Sequence, residues 1–175
     1  SSAGNYQYLY RSIYLFETSA LTVDATIISA VLSIRGPSKF DQNLSDASRN
    51  IVSSNPASNT ALVASDMGTL GSDVFSDGIT YTNWNTSGYN DFILNAGGLS
   101  EINKAGISKF GARLDADATA TAPAIGGTGK YTTLNAYFSD GGDGYKPKLV
   151  VTYSMPVTFI PTSSMRRGVL SGIGR

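Results

Sequence analysis

Short apolar segments separated by turn-forming residues run along most of the chain. In residues 25–34 the side chains of Ile28, Ala30, Leu32 and Ile34 share one face, because successive side chains of a strand point to opposite sides of a sheet. The neighbouring Thr and Ser residues supply polar positions. This segment is therefore a predicted β-strand with one face in the core.

The same reasoning predicts several further strands between turn signals that recur about every ten residues. Apolar residues at helical spacing predict short helices within 60–70 and 97–105, and polar stretches at 37–48, 71–88 and 115–129 predict loops. The predicted fold is an antiparallel β-sandwich of jelly-roll type, all-β apart from one or two short helices. The further predicted strands are residues 8–16, 51–52, 89–94, 107–114, 131–139 and 147–153.

The length of 175 residues fits one domain. The pattern assigns residues 1–153 to the β-sandwich and residues 154–175 to an extended C-terminal tail. The tail contains the apolar residues Val157, Phe159 and Ile160 between two prolines. This spare β-forming segment predicts a strand donated to the open sheet edge of a neighbouring subunit. A strand that folds back on its own domain, or a linker, remains an alternative.

Three parts of the sequence resemble one known family. The opening residues 10–21 and 25–34 and the closing residues 145–153 are similar, in order and spacing, to the DNRLRE-type domain. The middle residues 86–95 and 107–114 resemble metagenomic and phage-like relatives of the same domain. The resemblance covers roughly residues 8–153. It implies a jelly roll like that of carbohydrate-binding modules, found in secreted, cell-surface and virion proteins and without catalytic residues. Relatives carry an additional N-terminal segment that supplies an early strand, and here only a few residues precede the first strong strand. Either that segment is removed or another chain takes its place.

Composition narrows the classes of function. Charged residues make up only 15% of the chain, so Ser, Thr, Asn and Gly must cover much of the surface, as is common in secreted and particle-forming β proteins. The net charge is zero, and the basic pair Arg166 and Arg167 lies in the tail. Nucleic acid is therefore not an expected partner. If Arg166 and Arg167 are ordered, they imply a partner surface that is acidic or rich in carbonyl groups. No apolar segment is long enough for membrane insertion as a helix.

The absence of Cys and His excludes thiol nucleophiles, histidine acid–base chemistry and zinc sites built from those residues. A glycosidase needs two carboxylates that face each other across the scissile bond. The two glutamates, Glu17 and Glu101, fall in different predicted elements, although aspartates could substitute for them. The glycine-rich residues 126–130 lack the first Gly and the final Ser or Thr of a phosphate-binding loop. The chain is therefore predicted not to be an enzyme.

Two groups of residues are candidates for ligand binding. Four loop aspartates could hold calcium, the one candidate cofactor, because carboxylates and loop carbonyls suit this cation. The alternative is that these aspartates form turns. Trp84 and Tyr89 could stack on sugar rings, although a loop Trp that closes one end of a sandwich is equally compatible with the sequence. The four aspartates are Asp115, Asp117, Asp140 and Asp143.

These observations predict a structural subunit or decoration domain of an extracellular filament or virion. It would assemble through β-strand edges, as a homo-oligomer or with other structural subunits. Its location would be extracellular, at the cell surface or on the virion. The alternative is a carbohydrate-binding module with a glycan partner. A hydrolase acting on polysaccharide is a distant third, because it would need an unforeseen carboxylate pair.

Overall fold

The computed structural model describes residues 8–42, 47–121 and 130–156. Strands make up 38% of the described residues and helices 12%, and the sheets are antiparallel. The prediction of an all-β protein is therefore confirmed in the broad sense that the chain is mostly β. Two short α-helices, α1 (Ala96–Ser100) and α2 (Asp115–Ala118), and two 3-10 helices (Ser19–Leu21 and Ala64–Gly68) interrupt the strands. The strands are β1 (Ser12–Glu17), β2 (Thr26–Arg35), β3 (Lys39–Asp41), β4 (Ser48–Ser53), β5 (Ile79–Thr80), β6 (Tyr89–Ile93), β7 (Ile107–Leu114), β8 (Thr132–Leu134) and β9 (Lys148–Ser154).

The strands form three antiparallel sheets within the described residues. The larger sheet has four strands in the order β1-β7-β4-β5, and a second sheet has three strands in the order β6-β2-β9. The short strands β3 and β8 pair with each other. The neighbours in each sheet are distant in sequence, so long-range pairing determines the fold.

Both large sheets contribute to one cluster of buried apolar residues. The three-stranded sheet supplies alternate residues of its central strand, Ala30, Leu32 and Ile34, as the period-two pattern predicts. The four-stranded sheet supplies residues such as Ile51 and Phe110. Each sheet therefore turns one face toward this core, and the burial of these side chains is the main stabilising contribution.

Several predicted elements are confirmed and others need correction. The strand predicted at 107–114 is β7, and the one predicted at 147–153 is β9 shifted by one residue. The first strand begins at Ser12, because Tyr8 and Tyr10 are exposed and unpaired with any described strand. The predicted loop 37–48 contains β3 and the start of β4, because β3 pairs with the distant β8. Where a helix is predicted within 60–70, the structure has a five-residue 3-10 helix, Ala64–Gly68.

Asp117 lies between two arginine side chains. Arg11 donates two hydrogen bonds to its carboxylate, at 2.8 and 2.7 Å, and Arg113 donates two more, at 2.9 and 3.0 Å. The same two guanidinium groups also donate to the backbone carbonyls of Met67 and Gly71. This network joins β7 and α2 to the segment before β1 and to the loop after β4.

The guanidinium of Arg49 is buried beside the ring of Trp84, with 5.6 Å between Cζ and the ring centroid. Among the described residues, its Nε and Nη1 atoms have no hydrogen-bond partner. Burial lowers the pKa of Arg49. A buried charge that lacks an acidic partner and leaves donors without hydrogen bonds costs free energy that an apolar side chain of similar length does not.

We therefore expect Arg49→Met to raise the free energy of unfolding, by about 1 kcal/mol or more. Urea unfolding followed by circular dichroism measures this change. The exposed Lys146→Met serves as a control, because Lys146 makes a surface ion pair with Asp143, and it should change stability by less than about 0.5 kcal/mol. A clear loss of stability in Arg49→Met would mean that this guanidinium has a partner that compensates its charge.

In the described ranges, no helix combines the length and the apolar character that crossing a bilayer requires.

Candidate functional site

The three-stranded sheet has a second face, directed away from the core, which we call the outer face. Because Ala30, Leu32 and Ile34 point inward, Val31 and Ser33 point to the outer face. Residues directly opposite each other on paired strands project to the same side. The register of β6, β2 and β9 therefore defines rows of side chains that cross all three strands.

One of these rows is entirely apolar. Val31 is opposite Ile93 on one side and opposite Val150 on the other. Ile93 is 71% exposed and Val150 is 58% exposed. In an antiparallel sheet with one solvated face, polar side chains would be expected at these positions. We call Ile93, Val31 and Val150 the apolar row.

The next row along the strands is polar. Ser33 is opposite Asp91 on one side and opposite Lys148 on the other. The two rows are offset by two residues along each strand, which corresponds to about 7 Å. The outer face thus combines one band of aliphatic side chains with one band that carries both signs of charge.

The outer face ends at a corner where cations lie over aromatic rings. Lys148 Nζ lies 3.8 Å from the ring centroid of Tyr89, and Arg35 Cζ lies 4.7 Å from that of Tyr145. The hydroxyl of Tyr89 lies within hydrogen-bond distance of the backbone carbonyls of Gly144 and Lys146, at 2.9 and 3.0 Å. These contacts hold the loop before β9 against the sheet. They thereby fix where β9 begins.

β9 is the terminal strand of the three-stranded sheet, and within the described part of the chain its other side pairs with no strand. It is seven residues long and contains neither Pro nor Gly. Its one charged residue is Lys148, at the first position. Edge strands are usually protected by central charges, proline or bulges. The apolar row reaches this edge at Val150.

A second surface feature, the polar groove, lies away from the outer face. It is an open depression of about 450 Å³ beside the ends of β4 and α1 and the start of β7. Its lining is almost entirely polar, and burial raises the pKa of Glu101 within it. The polar side chains that line the groove include Ser53, Asn55, Thr69, Glu101, Asn103 and Lys109.

The prediction of an exposed aromatic platform at Trp84 is wrong. Trp84 is 2% exposed and belongs to the apolar core, so neither face of its indole can stack on a ligand. Gly36 permits this packing, because a Cβ atom there would lie 2.4 Å from the indole Nε1. The predicted partner residue, Tyr89, is half-buried and lies at the corner of the outer face. The structure does not bring these two residues together as one stacking surface.

The four predicted calcium ligands have different surroundings. Asp117 accepts hydrogen bonds from two arginines, and Asp115 accepts one from Asn50 Nδ2 at 3.0 Å. Asp143 is exposed and pairs with Lys146 at 3.1 Å, and Asp140 is also exposed. In the described ranges, no three acidic side chains come together in a group that could hold a metal ion. A calcium site at these residues stays a prediction.

The predicted assembly residues Val157, Phe159, Ile160, Arg166 and Arg167 lie outside the described residues. The sequence reasoning did not identify the exposed residues Ile93 and Val150 as part of a surface. The signal was present for Ile93, since it alternates with the inward-facing Phe92. The groove could not have been found, because it joins segments that are far apart in the sequence.

Comparison of the chain with models of protein families, with curated protein sequences and with solved structures finds no match. The resemblance to the DNRLRE-type domain therefore stays an expectation from the sequence.

Proposed function

We propose that this protein is a structural subunit or decoration domain of an extracellular filament or virion. Copies would assemble through the β9 edge and the outer face of the three-stranded sheet. The observation that carries this proposal is the exposed apolar row, which runs across three strands and ends on the β9 edge, where no described strand pairs. In this proposal the two larger sheets belong to a jelly-roll β-sandwich.

The occupant of this surface would be a second copy of the chain. An unpaired strand exposes backbone N–H and C=O groups that another strand can satisfy. The apolar row would add burial of Ile93 and Val150, each worth about 1–2 kcal/mol when fully covered. The zero net charge of the chain imposes no long-range repulsion between copies. The sequence-predicted donor strand at Val157, Phe159 and Ile160 remains one way to fill the edge.

We expect Val150→Lys to weaken self-association at least tenfold. The substitution places a charge in the middle of the edge strand and of the apolar row, which is how natural proteins block edge pairing. Sedimentation velocity over a range of concentrations measures the change, and electron microscopy shows whether particles or filaments remain.

Val63→Lys is the matched control, because Val63 is an exposed valine outside the three-stranded sheet. It should associate like the unmodified chain. Circular dichroism verifies that both variants fold. The proposal is contradicted if the unmodified chain sediments as a monomer at every concentration. It also fails if the two lysine variants associate equally well.

The carbohydrate-binding alternative needs a site other than Trp84. Tyr89 alone does not form an open platform, because Lys148 lies over its ring and its hydroxyl is engaged by the loop before β9. The proposal assigns no catalytic residue. Glu17 lies at the end of β1 and Glu101 follows α1, and Glu101 is the only carboxylate in the polar groove.

A further inference from the structure

We infer that two copies of this chain pair through β9 about a two-fold axis that passes between the two copies of Val150. The pairing is antiparallel and joins the three-stranded sheets of both copies into one continuous sheet. It rests on the proposed function and specifies the symmetry and the register of that assembly. Three properties of the sheet support it: the direction of the free backbone groups of β9, the position of the apolar row, and the state of the opposite edge.

The hydrogen bonds of β2 show which backbone groups of β9 are free. The carbonyl of Ala30 accepts from the N–H of Leu94, directly after β6, at 2.9 Å, so the backbone groups of Ala30 point toward β6. In an antiparallel ladder this direction alternates from one residue to the next. The backbone groups of Val31 therefore point toward β9, where Val150 satisfies them. The N–H and C=O groups of the residues on either side of Val150 consequently point to the open edge.

A two-fold axis at Val150 makes use of these free groups. It places Leu149 opposite Val151 of the other copy, and Val151 opposite Leu149, and each of these pairs can exchange two backbone hydrogen bonds. Both side chains lie on the inward face of the sheet and are partly buried against the apolar core. The pairing therefore extends the core of each copy across the contact as well as completing the ladder.

The same axis brings the two apolar rows end to end. Val150 then lies opposite Val150 of the other copy in a non-hydrogen-bonded pair, the kind in which side chains are closest, with Cα atoms about 4.5 Å apart. The two rows form one band that runs Ile93, Val31, Val150 and then the same residues in reverse order. An axis at Val151 would instead place Val150 opposite Thr152 and interrupt the band. The position of the apolar row therefore selects the register.

A head-to-tail contact between β9 and the β6 edge of another copy is less favourable. Both strands run antiparallel to β2, so this contact would be a parallel pair if the outer faces lie on the same side, and parallel pairs are slightly less stable. Part of the β6 edge is also occupied, because Leu94 forms a bridge with Ser76. Charge does not oppose the two-fold pair, since Lys148 lies opposite the uncharged Thr152 of the other copy.

A two-fold contact of this kind is closed, because the same surface is used on both copies. The combined apolar band remains on the outer face, which edge pairing does not cover. A filament or particle would therefore be built from such pairs through a second contact, and the outer face is available for it.

Disulfide trapping of single-cysteine variants tests the register, since the chain has no Cys of its own. Val150→Cys should form a disulfide-linked dimer with oxidised glutathione, because disulfides join Cα atoms about 4.4–6.8 Å apart. Thr152→Cys should react at least tenfold more slowly, because its two copies would lie about 13 Å apart along the strands. Val63→Cys, at an exposed valine outside the three-stranded sheet, is the matched control and should also react slowly. Non-reducing gel electrophoresis measures the rates, and circular dichroism verifies folding.

Two results would overturn the inference. One is equal rates of dimer formation in the three variants. The other is an excess of mixed dimers in an equimolar mixture of Val150→Cys and Thr152→Cys, detected by mass spectrometry, which would place the axis at Val151. Sedimentation velocity of the unmodified chain separates these results from failure of the assembly proposal. If the unmodified chain associates, equal rates refute only the two-fold pair, whereas a monomer at every concentration refutes both.

Discussion

Replacing Asp117 with Asn should lower the free energy of unfolding by about 3 kcal/mol or more. The carboxylate side chain is only 5% exposed and accepts hydrogen bonds from both Arg11 and Arg113. Without the negative charge, two largely buried guanidinium groups lose their counter-charge, and part of their hydrogen bonding is lost with it. Chemical denaturation at neutral pH, with the midpoint and slope compared between the two proteins, measures the loss.

Asp143→Asn is the control, because Asp143 is fully exposed and its pairing with Lys146 is a surface ion pair. Its effect should stay below about 0.5 kcal/mol. If Asp117→Asn were equally mild, the double arginine network would not exist in solution.

The same network gives a defined dependence on pH. Burial acts to raise the pKa of Asp117, but the hydrogen bonds and charges of Arg11 and Arg113 outweigh it and lower the pKa from 3.8 to about 2. The carboxylate therefore stabilises the fold fully above about pH 5, and this contribution is lost as the pH falls through about 2. The stability difference between the unmodified chain and Asp117→Asn should shrink over that interval.

Replacing Trp84 with Ala should lower the free energy of unfolding by about 3–5 kcal/mol. The indole is packed in the core against Gly36, and its removal leaves a large cavity and removes the ring beneath the Arg49 guanidinium. Thermal and urea unfolding both report this change. Trp84→Phe fills part of the space and should cost less.

An exposed aromatic residue provides the contrast for Trp84. Tyr10 is exposed, and Tyr10→Ala should change stability by less than about 0.5 kcal/mol. If Trp84→Ala were as mild as Tyr10→Ala, the indole would lie at the surface, and the sequence-based alternative of a sugar-stacking platform would return.

The strands that the sequence predicts well are those with strong local patterns. The alternation of apolar and polar residues in 107–114 predicts β7. The spacing of Ala30, Leu32 and Ile34 predicts the inward face of β2. Ile28, grouped with that face by its spacing, is exposed, because the β2–β9 register shifts between Ile27 and Ser29. A single irregular residue in a strand reverses which side of the sheet the side chains occupy. Periodicity alone does not reveal such a shift.

The features that the sequence could not provide depend on contacts between distant segments. β8 lies within the strand predicted at 131–139, but its partner β3 is about ninety residues away and falls in a stretch predicted as a loop, because three residues carry too little local signal. Asp117 has the sequence context of a turn or a calcium ligand, and only the approach of Arg11 makes it the centre of an ion-pair network. The polar groove likewise exists because β4 and α1 end, and β7 begins, near one another.

Hydrogen exchange of the β9 amides, measured as a function of protein concentration, tests the proposed assembly most directly. If copies pair through this edge, amides of Lys148–Ser154 should exchange more slowly as the concentration rises, while those of β1 at the edge of the other sheet remain unchanged. Val150→Lys should abolish the slowing. Exchange in β9 that is the same at all concentrations, in a chain that nevertheless associates, would place the contact elsewhere and contradict the account.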